Sequence, residues 1–125
     1  MMYNEGTIIA LSTAPGSGAI AIIRLSGEDA ISKTDLFFKS KSGKKLSESG
    51  GYSISYGDLV DNDEVIDEVV VSVYKAPHSY TGENIIEISC HGSIYIQQRI
   101  LSLFTNAGVR LASAGEFTLR AYLNN

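Results

Sequence analysis

The sequence predicts an α+β domain: a mixed or antiparallel sheet of about five to six strands covered by two to three helices. Three observations carry that expectation. Short β-branched runs recur along the chain ("TIIALST", "AIAIIRLS", "YSISYGDLV", "EVVVSVYKA", "NIIEISCH"), each bounded by turn-forming residues. Helical spacing occurs in only a few stretches between them. At least two strand-to-strand connections are too short to hold a helix, which breaks the strand-helix-strand rhythm of a doubly wound fold.

The first two strands, over residues 7–13 and 19–26, are separated by "APGSG" and are apolar on both faces. That pattern suits inner strands of a sheet covered on each side. In "SGEDAISKTDLFF" Ser26 stands as a helix cap with Asp29 three residues later, and the spacing predicts a helix of about three turns reaching Phe37 and Phe38. The lysines of "FFKSKSGKK" then read as a solvated connection. Tyr52, Ile54 and Tyr56 alternate with period two, "DNDEV" supplies a turn, and "EVVVSVYKA" forms the partner strand.

A loop, "PHSYTGE", leads into the strand from Asn84. The helix that follows in "SIYIQQRILSLFTNAG" has Ile96, Ile100, Leu103 and Phe104 on one face and Gly108 at its end. The terminal "VRLASAGEFTLRAYLNN" reads as a short strand, a glycine turn and a third helix from about Glu116, inside which the chain stops.

Bulk properties narrow the function classes. A length of 125 residues suits one domain over residues 1–125, with 44% apolar and 19% charged residues. Ten basic against 14 acidic residues give a net charge of -4, with no cationic stripe for a phosphate backbone, so nucleic acid is not expected as a direct partner. A single cysteine excludes an internal disulfide, and the start "MMYNEGTIIA" lacks a basic-then-apolar leader, which points to the cytoplasm. No apolar run approaches the roughly 20 residues of a membrane span. With His78, His91 and Cys90 alone, no zinc-ligand spacing exists.

The residue that asks for an explanation is Glu87, a carboxylate between Ile86 and Ile88. Strand alternation puts it on one face with Ile85 and Ser89, and places Arg24 on one face with Ile20 and Ile22. Burying either charge alone costs several kcal/mol, on the order of the penalty for any unpaired ion. Two answers are open: the pair neutralise each other inside the protein, or a ligand satisfies one or both. "PGSGA" lacks the spacing of a phosphate loop and serves either a tight turn or the close approach of a flat ligand. Cys90 and His91 point to opposite faces of the strand, so no thiolate-imidazole pair is expected and Cys90 reads as a small buried hydrophobe.

Three segments, "APGSGAIAIIRLSG", "PHSYTGENIIEISCHG" and "GEFTLRAYLNN", together resemble the amino-terminal domain of the MnmE (TrmE) family of tRNA-modification GTPases, over essentially the whole chain. The resemblance implies a tetrahydrofolate-binding domain similar to the folate domain of aminomethyltransferases, which also forms a homodimer. It implies a one-carbon donor, 5-formyl- or 5,10-methylene-tetrahydrofolate, held for wobble-uridine modification of tRNA together with the FAD-dependent partner MnmG. It places the folate-contacting residues on Arg24 and Glu87, the latter accepting the paired N–H donors of a pterin edge; a further family lysine would fall past Asn125. The family's GTPase domain has no counterpart here, so the fragment is not expected to be catalytic alone.

Four motifs depart from the family pattern, and among the changed positions Ser17, His78, Asn84 and Ser93 bear on the site. Ser17 and Ser93 are expected to alter the pocket, His78 and Asn84 to lie on loop surfaces. Two rival readings stand beside the folate one. In the first, the domain is a structural dimerisation module in which Arg24 and Glu87 only pair with each other. In the second, it is a free-standing aminomethyltransferase-like enzyme, which would need an acid or base among Glu83, His91 and Glu116.

Overall fold

The computed structural model describes residues 6–124; residues 1–5, part of the stretch read above for a leader, lie outside the described residues. In chain order the strands are β1 (Ile8–Leu11), β2 (Ile20–Ser26), β3 (Phe38–Ser40), β4 (Tyr52–Asp61), β5 (Glu64–Tyr74), β6 (Ile85–His91) and β7 (Arg110–Leu111). The helices are α1 (Ala30–Asp35), α2 (Ile94–Thr105) and α3 (Glu116–Leu123), with a single 3₁₀ turn at Leu46–Glu48. The strands form one sheet in the order β3-β4-β5-β6-β2-β1-β7. Every neighbouring pair is antiparallel except β1 and β7, which run parallel. The predicted α+β class with a mixed sheet is the one found, with seven strands rather than five or six.

The additional strand is β3, at the start of the lysine-rich stretch read as a connection. Phe38 pairs with Leu59 and is only 6% exposed, so a buried aromatic side chain anchors an edge strand whose other residues are polar. The Asp35 carboxylate then accepts the backbone N–H groups of Leu46 and Ser47, fixing the 3₁₀ turn.

The first helix is shorter than the spacing predicts: α1 has six residues, under two turns, and excludes Phe37 and Phe38. Ser26 does not cap it. Strand pairing continues through Ser26, opposite Ile8 on one side and Ile85 on the other, so cross-strand bonding overrides the local capping signal. Between β4 and β5 the turn is tighter than expected; Asn62 takes a left-handed φ of 57° and β5 begins at Glu64.

Ala21, Ile23, Leu25, Val69, Val71, Val73, Ile86 and Ile88 face a single apolar core. Over it lie Ile31 from α1 and Ile100, Leu103 and Phe104 from α2, with the rings of Phe37 and Phe104 edge to face at 5.4 Å. Ser93 caps α2 by accepting the Ile96 N–H at 3.1 Å.

The opposite face corrects the expectation of a sheet covered on both sides. Ile20 is 65% exposed, and Tyr52, Ile54 and Tyr56 stand open along β4. Among the described residues, cover on that face comes at the β6-β2-β1 end, from α3 and the loop between β5 and β6. Among the described residues, no helix is long and apolar enough to cross a membrane.

Candidate functional site

Antiparallel pairing of β2 with β6 sets Arg24 directly opposite Glu87, on the partly covered face. The guanidinium donates through Nε and Nη2 to the same oxygen, Oε2, at 2.8 and 2.7 Å. Both side chains keep about a quarter of their surface, 24% and 22%, so the pair is neither in bulk water nor sealed in a dry interior. Both Arg24 bonds fall on Oε2, and among the described residues no hydrogen bond reaches the second oxygen of Glu87.

Two aromatic rings flank the guanidinium. Arg24 Cζ lies 5.8 Å from the ring centre of Tyr80, in the β5-β6 loop, and 5.5 Å from that of Phe117, on α3. A cavity of about 480 Å³ opens beside them, lined by Leu11, Ser12, Arg24, Tyr80, Ser113 and Phe117 among others. Glu87 itself does not line it; the carboxylate reaches the cavity's edge only through Arg24. The sequence-predicted pair is therefore brought together, while the aromatic residues and the wall formed by α3 were not singled out beforehand. Both lie in the "SYTGE" and "EFTLRAYL" runs already quoted, where an aromatic beside polar loop residues was the available signal.

Helix α3 is held by a network of buried charges. Arg120 is fully buried. Its Nη1 donates to Glu83 Oε1 at 3.1 Å, and its Nη2 donates to the Gly6 carbonyl at 2.6 Å and Glu116 Oε2 at 3.2 Å. Glu116 also accepts from both terminal guanidinium nitrogens of Arg110, at 3.0 and 2.6 Å, and from the Ser113 N–H at 2.9 Å. The hydrogen bond from Arg110 is the largest reason its carboxyl is held down at about 2. Gly115, just before the helix, adopts a left-handed φ of 73° that a side chain would strain, and so lets the Ser113–Glu116 turn close.

Glu83 and Glu116, which have no recognisable relation in the sequence, thus converge on one arginine. A carboxyl held so low is a poor proton donor, and its oxygens are already engaged by Arg110, Arg120 and the Ser113 N–H. His91 sits apart, paired with Asp67 at 2.7 Å. Cys90 is buried, and desolvation, followed by the charge of Asp67, pushes its thiol up to about 11.

The "PGSGA" loop packs toward α2 rather than into the cavity: the Gly16 carbonyl accepts from Gln97 Nε2 at 3.1 Å and Gly18 N–H donates to the Gly92 carbonyl at 3.0 Å. None of Ser17, His78, Asn84 and Ser93 lines the cavity. Asn84 is more than a surface change, since its side-chain oxygen accepts the Ala76 N–H at 2.9 Å and ties down the loop.

Comparison with known proteins bears on this arrangement. Residues 7–125 match the family model described as GTP-binding protein TrmE N-terminus. The tRNA modification GTPase MnmE of Flavobacterium johnsoniae is 54% identical over 123 residues, 98% of this chain and 26% of that protein. The protein of the same name from Parabacteroides distasonis is 52% identical over 120 residues, 94% of the chain and 26% of the relative. That of Clostridioides difficile is 50% identical over 123 residues, 98% and 27%. The chain spans about a quarter of the length of these curated relatives. With a family match that leaves out only the first six residues, and half its positions identical to those of the relatives, this chain belongs to the family of TrmE amino-terminal domains.

Proposed function

We propose that this domain binds a reduced folate, 5-formyl- or 5,10-methylene-tetrahydrofolate, beside Arg24 and Glu87, and pairs with a second copy of itself. In that reading it belongs to a cytoplasmic GTPase that modifies the wobble uridine of tRNA with the FAD-dependent protein MnmG, the folate supplying the one-carbon unit. The observation that carries the reading is the Arg24–Glu87 pair at the edge of a cavity of about 480 Å³, within the range of roughly 300–1,000 Å³ typical of small-molecule sites. A pterin edge can donate to the second Glu87 oxygen while its ring lies against Tyr80 or Phe117, offsetting the cost of keeping the acid largely out of water. For self-association the chain offers the open stretch of sheet at Tyr52, Ile54 and Tyr56, an apolar surface of the kind that copies bury.

The purely structural reading draws on one feature of the same pair: both Arg24 bonds end on Glu87, so the two charges are matched without a ligand. Calorimetric titration with 5-formyltetrahydrofolate, run beside sedimentation, separates the two. Glu87→Ala is expected to abolish ligand heat and leave the dimer mass unchanged. Titration curves for parent and variant that coincide would reject the folate role.

A further inference from the structure

The cavity owes its shape to contacts made away from it. Its lining comes from four stretches of chain: the end of β1, Arg24 on β2, Tyr80 in the β5-β6 loop, and residues 112–118 leading into α3. β1 and β2 are joined by strand pairing and residue 112 to β1 by the Ala112 N–H bond to the Ile9 carbonyl, while Arg120, buried and outside the cavity lining, links the β5-β6 loop and α3 to the start of β1. Its guanidinium reaches Gly6 ahead of β1, Glu83 in the loop, and Glu116 at the start of α3. Glu83 in turn accepts the Ser26 hydroxyl at 2.7 Å, at the end of β2.

Lesser contacts repeat the pattern along α3. Tyr80 Oη and Thr118 Oγ1 are 3.1 Å apart, and Asn124 Nδ2 donates to the Thr81 carbonyl at 2.9 Å. Gly82 has a left-handed φ of 80°, and a Cβ placed there would sit 2.8 Å from Asn124 Cβ, so the loop and the helix end are in close contact. Loop and helix therefore form one wall, and that wall carries both rings that face the Arg24 guanidinium.

We propose that Arg120 is a positioning residue for the ligand cavity: by locking α3 to the β5-β6 loop it holds Phe117 and Tyr80 at the spacing a flat ligand needs. This rests on the folate reading given above. An ion network built around a buried arginine adds little net stability over an apolar packing of the same volume, because desolvation cancels most of the attraction. What such a network does provide is direction: an arginine fork accepts partners only in its plane, so α3 has one docked orientation.

The test is a double-mutant cycle read by calorimetric titration with 5-formyltetrahydrofolate. Phe117→Ala is expected to weaken binding in the parent by about tenfold, and to have an effect under twofold once Arg120→Lys has released the wall. Lysine keeps the charge and loses the fork, so Arg120→Lys alone is expected to weaken binding at least tenfold. Should Arg120→Lys fail to fold, Glu83→Gln keeps the shape and removes one charge of the lock; it is expected to weaken binding several-fold and to shrink the Phe117→Ala effect in proportion.

If the parent binds and Phe117→Ala costs the same factor in every background, Arg120 is only part of the fold and the inference is overturned, with the folate reading intact. If the parent itself gives no heat with 5-formyltetrahydrofolate, the folate reading falls and the inference with it.

Discussion

Arg24 and Glu87 lie 63 positions apart in the chain and directly across from each other on β2 and β6, joined by two hydrogen bonds to one carboxylate oxygen. The pair is partly open to solvent, with two aromatic rings and a cavity on the arginine side. Each charge of the pair is balanced by the other and keeps part of its surface exposed.

Solvent access limits what the pair contributes to the fold. A double-mutant cycle of Arg24→Ala and Glu87→Ala, measured by urea unfolding, is expected to return a coupling of about 1 kcal/mol or less. A coupling above roughly 3 kcal/mol, the range of a buried pair, would make the two residues a structural element first.

Glu116 makes the fold acid-sensitive. Arg110 holds its carboxyl down at about 2, against an ordinary value of 4.5. A carboxyl depressed on folding stabilises the protein above its unfolded pKa, and that stabilisation is lost as pH falls toward the folded value. The contribution is therefore complete above about pH 5 and declines between roughly pH 4.5 and 2, by on the order of 3 kcal/mol. Glu116→Gln is expected to be less stable than the parent at pH 7, with the gap closing toward pH 3. Denaturant unfolding at pH 7, 5 and 3 checks this, and a gap of constant size would contradict it.

The core under α2 depends on Phe104, which is fully buried and edge to face with Phe37. Phe104→Ala is expected to cost about 3–5 kcal/mol through lost burial and the void left behind. Thermal unfolding should register a fall of at least ~10 °C. A loss under ~1 kcal/mol would mean that the neighbouring side chains collapse into the space.

Ser93 caps α2 and stands away from the cavity. Ser93→Ala is expected to cost about 1 kcal/mol and Ser93→Gly only a few tenths. Neither should change affinity for 5-formyltetrahydrofolate by more than about twofold, a difference of ~0.4 kcal/mol. A larger drop in affinity with stability unchanged would return Ser93 to the ligand site.

Much of this molecule was legible in its sequence because the signals are local. Period-two alternation put Arg24 with Ile22 and Glu87 with Ser89 before any pairing was known, and the apolar spacing of Ile96, Ile100, Leu103 and Phe104 marked α2. The same reasoning failed where a distant partner outweighed a local preference. Ser26 resembled a helix cap and became a strand residue, because β1 and β6 pair with it on either side. The lysine-rich stretch resembled a solvated connection, yet Phe38 found a buried place beside β4.

The sequence alone determined the elements, the faces of the strands and the family, since each depends on residue types at short spacing. The tertiary structure alone decided that Tyr52, Ile54 and Tyr56 stand exposed among the described residues on the sheet's second face and that Glu83, 37 positions before Arg120, meets it under α3. Charges so far apart along the chain share no periodicity. Their meeting is set by how the sheet orders its strands and where the last helix docks, and neither is written in any single stretch of residues.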